Sequence, residues 1–146
     1  MYYKFTARAE KALEEAQELA MDMGHDYIGS EHILYGLTAE GTGVASKVLE
    51  DQGVIPEGIK DEIDIIVGTG EPIEDPEKLG FTPRSKKIIE NAFIEARKTG
   101  NEFIGTEHLL LGILREGDCV ATRILIDLNA NPQNIYSEIS KWRWNE

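Results

Sequence analysis

The chain has 146 residues, of which 41% are hydrophobic and 29% are charged, and its net charge is −12. These values are typical of one soluble globular domain. The acidic charge argues against binding to nucleic acids or anionic membranes, which requires clustered Lys and Arg. Cys119 is the single cysteine, so no intramolecular disulfide can form. With no signal peptide and no apolar stretch of membrane-spanning length in view, the sequence predicts a cytoplasmic protein.

One stretch of the sequence occurs twice, 76 residues apart. Residues 28–37 read Ile-Gly-Ser-Glu-His-Ile-Leu-Tyr-Gly-Leu, and residues 104–113 read Ile-Gly-Thr-Glu-His-Leu-Leu-Leu-Gly-Ile. Aligning residues 5–67 with residues 81–143 without a gap gives 24 identities in 63 pairs, far above chance. The chain is therefore an internal duplication, and its two copies are expected to share one structural plan.

The first copy, residues 5–67, alternates helix start signals with helix stop signals. A hydroxyl side chain accepts from the free N–H groups of a first turn, proline suits the first turn, and glycine permits the left-handed conformation that ends a helix. The predicted starts are Thr6, Ser30 and Pro56, and a third helix is predicted to run through Val44, Val48 and Leu49. The predicted stops and breaks are Gly24, Gly41 with Gly43, Gly53 and Gly68. Apolar residues recur at helical spacing between these signals.

The linker, residues 68–80, is rich in glycine, proline and acidic residues and is predicted to lack regular structure. The second copy, residues 81–143, starts at Thr82, stops first at Gly100, and uses Asn129 as a left-handed stop. Its last helix is predicted to reach the Trp142-Arg143-Trp144 tail, and no strand pattern is evident. The predicted fold is all-α: a tandem repeat of two four-helix units, related by a pseudo-twofold axis, within one domain spanning residues 1–146.

Motifs of the common enzyme classes are absent from the sequence. It contains no Gly-x-x-x-x-Gly-Lys-Ser/Thr loop for ATP, no His-Glu-x-x-His zinc motif and no serine elbow. His32 and His108 are repeat partners, so they are expected to lie apart as ordinary histidines packed at helix starts. We therefore expect no metal or other cofactor. The missing motifs make catalysis less expected, and an enzyme of unrecognised type remains an alternative.

The motif Ser30-Glu31-His32 is kept in the second copy as Thr106-Glu107-His108. The simpler interpretation is structural, since a carboxylate at the first helical position stabilises the helix by about 0.3–1 kcal/mol. The second interpretation is a ligand site. A helix N-terminus offers N–H groups to an anion, and a neighbouring glutamate offers a carboxylate to a cation. Together these groups would suit a guanidinium that carries a phosphate.

At these residues the sequence resembles the N-terminal domain of the Clp ATPase unfoldases, and the ClpC type in particular. The resemblance covers Phe5 to about Ile139. The matching stretches are Phe5-Thr6-x-Arg8-Ala9, residues 28–34, Phe81-Thr82-Pro83-Arg84-Ser85-Lys86-Lys87 and residues 104–112. Because these stretches are doubled at a fixed offset, the match is specific.

The resemblance implies a non-catalytic binding domain that receives substrates and adaptors for an AAA+ unfoldase ring feeding the ClpP protease. It also implies recognition of phosphoarginine on proteins marked for degradation, and a MecA-like adaptor as a partner. Carried over to this sequence, the guanidinium-binding residues are Glu31 and Glu107, the phosphate-side residues are Thr6 and Thr82, and the caps are Ser30 and Thr106. The predicted pairing joins Glu31 with Thr6 and Ser30 in one site, and Glu107 with Thr82 and Thr106 in the other.

The sequence departs from the family pattern at three places. Ser30 stands where threonine is usual, Asp118-Cys119 stands where Glu-Gly is usual, and the Trp142-Arg143-Trp144 tail is atypical. The ATPase modules are not part of this sequence. The chain is therefore interpreted as an excised domain or, alternatively, as a stand-alone regulator or adaptor of the same fold.

Overall fold

Eight α-helices make up the fold of residues 3–142, the part of the chain that the computed structural model describes. They are α1 (Ala7–Asp22), α2 (Ser30–Ala39), α3 (Val44–Asp51), α4 (Pro56–Ile66), α5 (Pro83–Lys98), α6 (Thr106–Glu116), α7 (Val120–Asp127) and α8 (Pro132–Lys141). Each copy of the repeat supplies four helices, which confirms the all-α, duplicated architecture. The last helix ends at Lys141, before the tryptophan-containing tail, and Arg143 and Trp144 lie outside the described residues.

Left-handed residues end the helices where the sequence predicts them. Gly24 and Gly100 follow α1 and α5 with φ angles of +75° and +74°, and Asn129 follows α7 with a φ of 63°. Glycine adopts this region without the steric cost that a Cβ atom brings, and asparagine visits it more readily than most residues. The predicted helix boundaries at these three positions are confirmed.

Replacing either glycine with alanine is expected to destabilise the protein, and the two costs should differ. Both substitutions force alanine into a left-handed conformation, at a cost of about 1 kcal/mol. A Cβ at Gly24 would also lie 2.5 Å from the carbonyl oxygen of Glu71, whereas a Cβ at Gly100 would meet open space. Urea denaturation should therefore give Gly24→Ala the larger loss, about 2 kcal/mol or more. Equal losses would contradict this.

Two short parallel pairings cross between the copies, and the sequence did not predict them. Strand β1 (Tyr27–Ile28) pairs with strand β2 (Gly80–Phe81), so that Ile28 lies opposite Phe81. An isolated parallel bridge joins Phe5 to Ile104. These two pairings are repeat equivalents, because each joins the start of one copy to the segment before the second helix of the other copy. A strand of two residues leaves no alternating pattern to read, which explains why no strand pattern is evident in the sequence.

The two copies share a single hydrophobic core. Buried residues of every helix contribute to one contiguous cluster, which includes Leu34 and Leu49 from the first copy and Leu110 and Leu125 from the second. Helix α2 packs against α5, α6 and α7, while α3 packs against α6 and α8. None of the helices in the described part of the chain is both long and apolar enough to cross a membrane.

Candidate functional site

The second helix of each copy begins with a glycine that has no capping side chain. Gly29 and Gly105 are the N-caps of α2 and α6, so Ser30 and Thr106 are the first helical residues and the glutamates are the second. The prediction that Ser30 and Thr106 cap these helices was wrong. Instead, the third residue of each helix, a histidine, accepts a hydrogen bond at Nδ1 from the N-cap N–H, at 2.8 Å for Gly29 and 2.9 Å for Gly105. The histidines are therefore satisfied at helix starts, as predicted.

Ser30 and Thr106 cap helices of the opposite copy. The Ser30 hydroxyl accepts from the N–H of Ala121, in the first turn of α7, at 3.1 Å. The Thr106 hydroxyl accepts from the N–H of Ala45, in the first turn of α3, at 3.3 Å. Both hydroxyls are buried. They satisfy helix N–H groups, as capping residues do, and in doing so they join the two copies.

The crossed pairings bring Thr6 to Glu107 rather than to Glu31. The N–H of Thr6 donates to the carbonyl of Ile104 at 2.9 Å. Thr6, Phe103, Gly105 and Glu107 line one cavity of about 120 Å³. The predicted pairing of Thr6 with Glu31 was therefore wrong, because it assumed that each copy builds its own site.

Thr82 lies correspondingly beside the residues that lead to Glu31. Its N–H donates to the carbonyl of Ile28 at 3.1 Å, and the Ser85 hydroxyl donates to the same carbonyl at 2.8 Å. Thr6 and Thr82 are the N-caps of α1 and α5, accepting from the N–H groups of Ala9 and Ser85, as predicted. Each candidate site thus combines a glutamate from one copy with a capped helix N-terminus from the other.

Both glutamates are buried, with 4% of Glu31 and 1% of Glu107 exposed to solvent. The Glu31 carboxylate folds back over its helix start, since a Cβ on Gly29 would lie 2.4 Å from the Oε1 atom of Glu31. The N-terminal end of the helix dipole stabilises a negative charge at this position. The absence of a Cβ at residue 29 is therefore what allows the carboxylate to lie there.

Two arginines lie at the starts of α1 and α5, and Phe103 lines the cavities beside Thr6; none of these three was predicted as a site residue. Arg8, in the first turn of α1, lines a cavity of about 540 Å³ together with Thr6 and Phe103. Its Nε donates to the Thr42 hydroxyl at 3.1 Å, and the equivalent Arg84 donates to the Asp118 carbonyl at 2.6 Å. An arginine two residues after each capping threonine was the available signal. It places a positive charge near each helix N-terminus.

Residues 4–128 match the family described as the Clp repeat (R) N-terminal domain. The chain belongs to this family. It is 45% identical over 139 residues to the chloroplastic chaperone protein ClpC1 of Arabidopsis thaliana, covering 95% of this chain and 15% of that protein. It is 47% identical over 131 residues to the negative regulator of genetic competence ClpC/MecB of Bacillus subtilis, covering 90% of this chain and 16% of that protein. The chain therefore spans only a small part of these relatives.

Solved structures of Clp N-domains share the fold. The N-terminal domain of the chaperone ClpD from Arabidopsis thaliana matches with a TM-score of 0.79 at 23% identity, over 94% of this chain and 95% of that chain. The ClpV N-domain, solved in complex with a VipB peptide, matches with a TM-score of 0.68 at 22% identity, over 92% and 88% of the two chains. At these identities the likeness shows the fold alone.

One side of this Clp N-domain contains a buried pair of histidines. His25 Nδ1 lies 2.8 Å from His32 Nε2, and His25 Nε2 lies 2.8 Å from the Gly68 carbonyl oxygen. Burial, and then the neighbouring His25, lower the pKa of His32 from 6.5 to about 3. His32 is therefore neutral in the folded protein at pH 7.

This lowered pKa makes folding stability depend on pH. Below pH 6.5 the unfolded chain protonates His32 while the folded chain does not, so stability is complete above that pH and falls as the pH decreases toward 3. The loss from this group should reach about 2 kcal/mol by about pH 5. His32→Gln is a suitable control, because glutamine at the third helical position also accepts from the N-cap N–H but does not titrate. Urea denaturation at pH 7.5 and pH 5 should show the smaller loss in His32→Gln, and equal losses would contradict this assignment.

Proposed function

We propose that this Clp N-domain receives substrates and adaptors for a ClpC-like AAA+ unfoldase that works with the ClpP protease, and that it recognises phosphoarginine on its substrates. In this proposal the chain is a binding domain without catalysis of its own, it acts in the cytoplasm, and its protein partner is a MecA-like adaptor. The observation that supports the proposal best is the pair of crossed sites, each joining a buried glutamate to a helix N-terminus.

The two halves of each site suit the two halves of the ligand. A carboxylate accepts two parallel hydrogen bonds from the planar fork of a guanidinium, and Glu107 lines a cavity next to Thr6. The first-turn N–H groups of α1 have no intrahelical partners, and the helix dipole there favours an anion such as a phosphate. The Arg8 side chain adds positive charge on the phosphate side. By the sequence repeat, Glu31, Thr82 and α5 are the corresponding parts of the other site.

Ser30 and Thr106 contribute to the sites indirectly. Each hydroxyl lies next to its glutamate in the sequence and fixes the helix start to the opposite copy. In this proposal they therefore hold the glutamates in place instead of contacting the phosphate. Neither half of a site should suffice alone, so plain arginine and inorganic phosphate should bind much more weakly than phosphoarginine.

Titration calorimetry with free phosphoarginine tests these assignments. The unsubstituted chain should bind two molecules, while Glu31→Ala and Glu107→Ala should each bind one and the double variant none. The double variant should remain folded, because it loses about 0.3–1 kcal/mol of helix-dipole stabilisation per site. Glu31→Gln and Glu107→Gln keep the side-chain volume and control for packing. A folded double variant that still binds two molecules with unchanged affinity would disprove the assignment.

The Thr6→Ala substitution tests the crossing within the same measurement. In the Glu31→Ala chain, where the Glu107 site remains, Thr6→Ala should weaken binding severalfold. In the Glu107→Ala chain, where the Glu31 site remains, it should leave binding unchanged. The reverse result would instead support a site within each copy, with Thr6 paired to Glu31. Circular dichroism checks folding, since loss of this N-cap costs about 1 kcal/mol.

A further inference from the structure

The two candidate sites differ in the residues that surround the glutamate. Beside Glu31, the rings of His25, Tyr27 and His32 form a cluster, with centroids 5.0–5.5 Å apart and the first two rings stacked at 7°. In the second copy, Asn101 and Phe103 replace the first histidine and the tyrosine. The comparison between the copies therefore isolates what this cluster contributes.

The hydrogen bonds of the histidine pair fix where its protons lie. The Gly29 N–H must donate to His32 Nδ1, so that nitrogen carries no proton. A neutral His32 therefore carries its proton on Nε2 and donates it to His25 Nδ1. His25 in turn carries its proton on Nε2 and donates it to the Gly68 carbonyl. This series of hydrogen bonds has three donors and three acceptors, and it is complete only when both rings are neutral.

An additional proton on either ring must break this series of hydrogen bonds. With both rings neutral every contact joins an N–H to a lone pair, whereas a fourth N–H places two donors against each other at one contact. His25 is 7% exposed and His32 is fully buried, so His25 is the ring that can turn toward water. Burial, and then the neighbouring His25, lower the pKa of His32 to about 3, so His32 stays neutral in mild acid and an additional proton goes to His25.

Tyr27 connects the histidine pair to the glutamate. Its ring stacks on His25, and its hydroxyl donates to Glu31 Oε2 over a long 3.4 Å contact. Burial, followed by the charge of Glu31, raises the pKa of Tyr27 to about 12, so the hydroxyl stays protonated and able to donate. A movement of His25 removes the surface on which the Tyr27 ring rests.

We propose that His25 and His32 position Tyr27 and, through it, the Glu31 carboxylate, so that mild acid weakens ligand binding at the Glu31 site but not at the Glu107 site. This inference rests on the proposed function, because the ligand is the same phosphoarginine. Tyr27, His25 and His32 are positioning residues, since the ligand itself is held by Glu31 and the N-terminus of α5.

Three segments of the chain contribute the polar and titratable groups that surround His25, His32 and Tyr27. The connection after α1 contributes Asp26 and Tyr27, helix α2 contributes Glu31, and the segment after α4 contributes the Gly68 carbonyl. The backbone of Glu71 packs against Gly24 next to His25.

Single-site chains provide the test. Glu107→Ala leaves the Glu31 site and Glu31→Ala leaves the Glu107 site, and both are titrated with freshly prepared phosphoarginine at pH 7.5 and pH 5.5. The measured quantity is the ratio of the two affinities, from which the titration of the ligand itself cancels. Between these pH values the Glu31 site should weaken about fivefold relative to the Glu107 site, the scale of one hydrogen bond. An unchanged ratio would overturn the proposal.

Two further substitutions reproduce the second copy and serve as controls. In the Glu107→Ala background, both His25→Asn and Tyr27→Phe should remove the relative pH dependence. A purely structural role would lower affinity equally at both pH values, and that result would overturn the proposal. Circular dichroism checks that both variants are folded.

Nuclear magnetic resonance of the unliganded protein separates this inference from the proposed function. Both His25 and His32 should show the Nε2-protonated tautomer at pH 7.5, and the Tyr27 ring resonances should follow histidine titration in the unsubstituted chain but not in His25→Asn. If phosphoarginine binds neither site, the proposed function fails. A shift of the Tyr27 resonances with the histidine titration would still support the positioning role. Tyr27 resonances that do not shift during the histidine titration would overturn the positioning role, whether or not the ligand binds.

Discussion

Replacing Gly36 with alanine is expected to destabilise the protein by about 3 kcal/mol or more. A Cβ at this position in α2 would lie 2.0 Å from the carbonyl oxygen of Ala12 and 3.1 Å from the amide nitrogen of Ala16, both in the backbone of α1. The obstacle is helix backbone and not a flexible side chain, so the two helices must separate to admit the methyl group. Gly112 is the repeat equivalent, with a Cβ 2.4 Å from the Ile88 carbonyl of α5, and Gly112→Ala should behave alike.

Gly58→Ala is the matched control for this prediction. Gly58 is also helical, in α4, but its Cβ would meet only Leu128 side-chain atoms at 3.8 Å, an ordinary contact. The same substitution should therefore stabilise the protein there, by about 0.5–1 kcal/mol, through the better helix propensity of alanine. Urea denaturation of the three variants gives the comparison. If Gly36→Ala is as stable as Gly58→Ala, the conclusion that α1 and α2 approach too closely at Gly36 to admit a Cβ atom is wrong.

A fragment of residues 1–70 is expected not to fold by itself, although it contains all four helices of the first copy. Its helices α2 and α3 pack against helices of the second copy, and its buried side chains belong to a cluster that both copies complete. Separation would also remove the Ser30 and Thr106 hydroxyls from the N–H groups that they cap across the copies. A unit of about 65 residues has little core to compensate for such losses.

Circular dichroism decides this prediction. The full chain should unfold in one cooperative transition, and the isolated fragment should show none. Mixing the fragment with residues 71–146 should restore helical signal, because the second piece supplies the missing packing surface. A cooperative transition in the isolated fragment, or two separated transitions in the full chain, would contradict the shared core.

Local signals in the sequence predicted the helices well. Gly24, Gly100 and Asn129 end helices through a backbone preference that each residue carries wherever it stands. The caps at Thr6 and Thr82 were predictable for a similar reason, since each hydroxyl accepts from an N–H only three residues away. The rule that a hydroxyl residue caps its own helix misplaced the start of α2. Gly29 is the N-cap there without a side chain, and the Ser30 hydroxyl accepts from the N–H of Ala121 in α7 instead.

The composition of the candidate sites was easier to predict than their pairing. The sequence marks Glu31 and Glu107 by their repetition, yet it gives no means of deciding whether Thr6 joins the first or the second. In a duplicated chain both arrangements satisfy the same local patterns. The choice depends on which copy accepts the backbone N–H of Thr6, and only the packed structure shows that Ile104 does. The close approach at Gly36 depends in the same way on the spacing between two helices.

The crossed pairing also determines when the protein can fold during synthesis. The contacts that join the copies lie far apart along the chain: 91 residues separate Ser30 from Ala121, and 61 separate Ala45 from Thr106. Contacts of such long range require closure of large loops and are associated with slow folding. The first copy therefore leaves the ribosome before its partner surfaces exist, and the Thr6–Glu107 site cannot form until α6 has emerged. A pause in translation within the second copy would prolong the exposure of half a core, and with it the risk of aggregation.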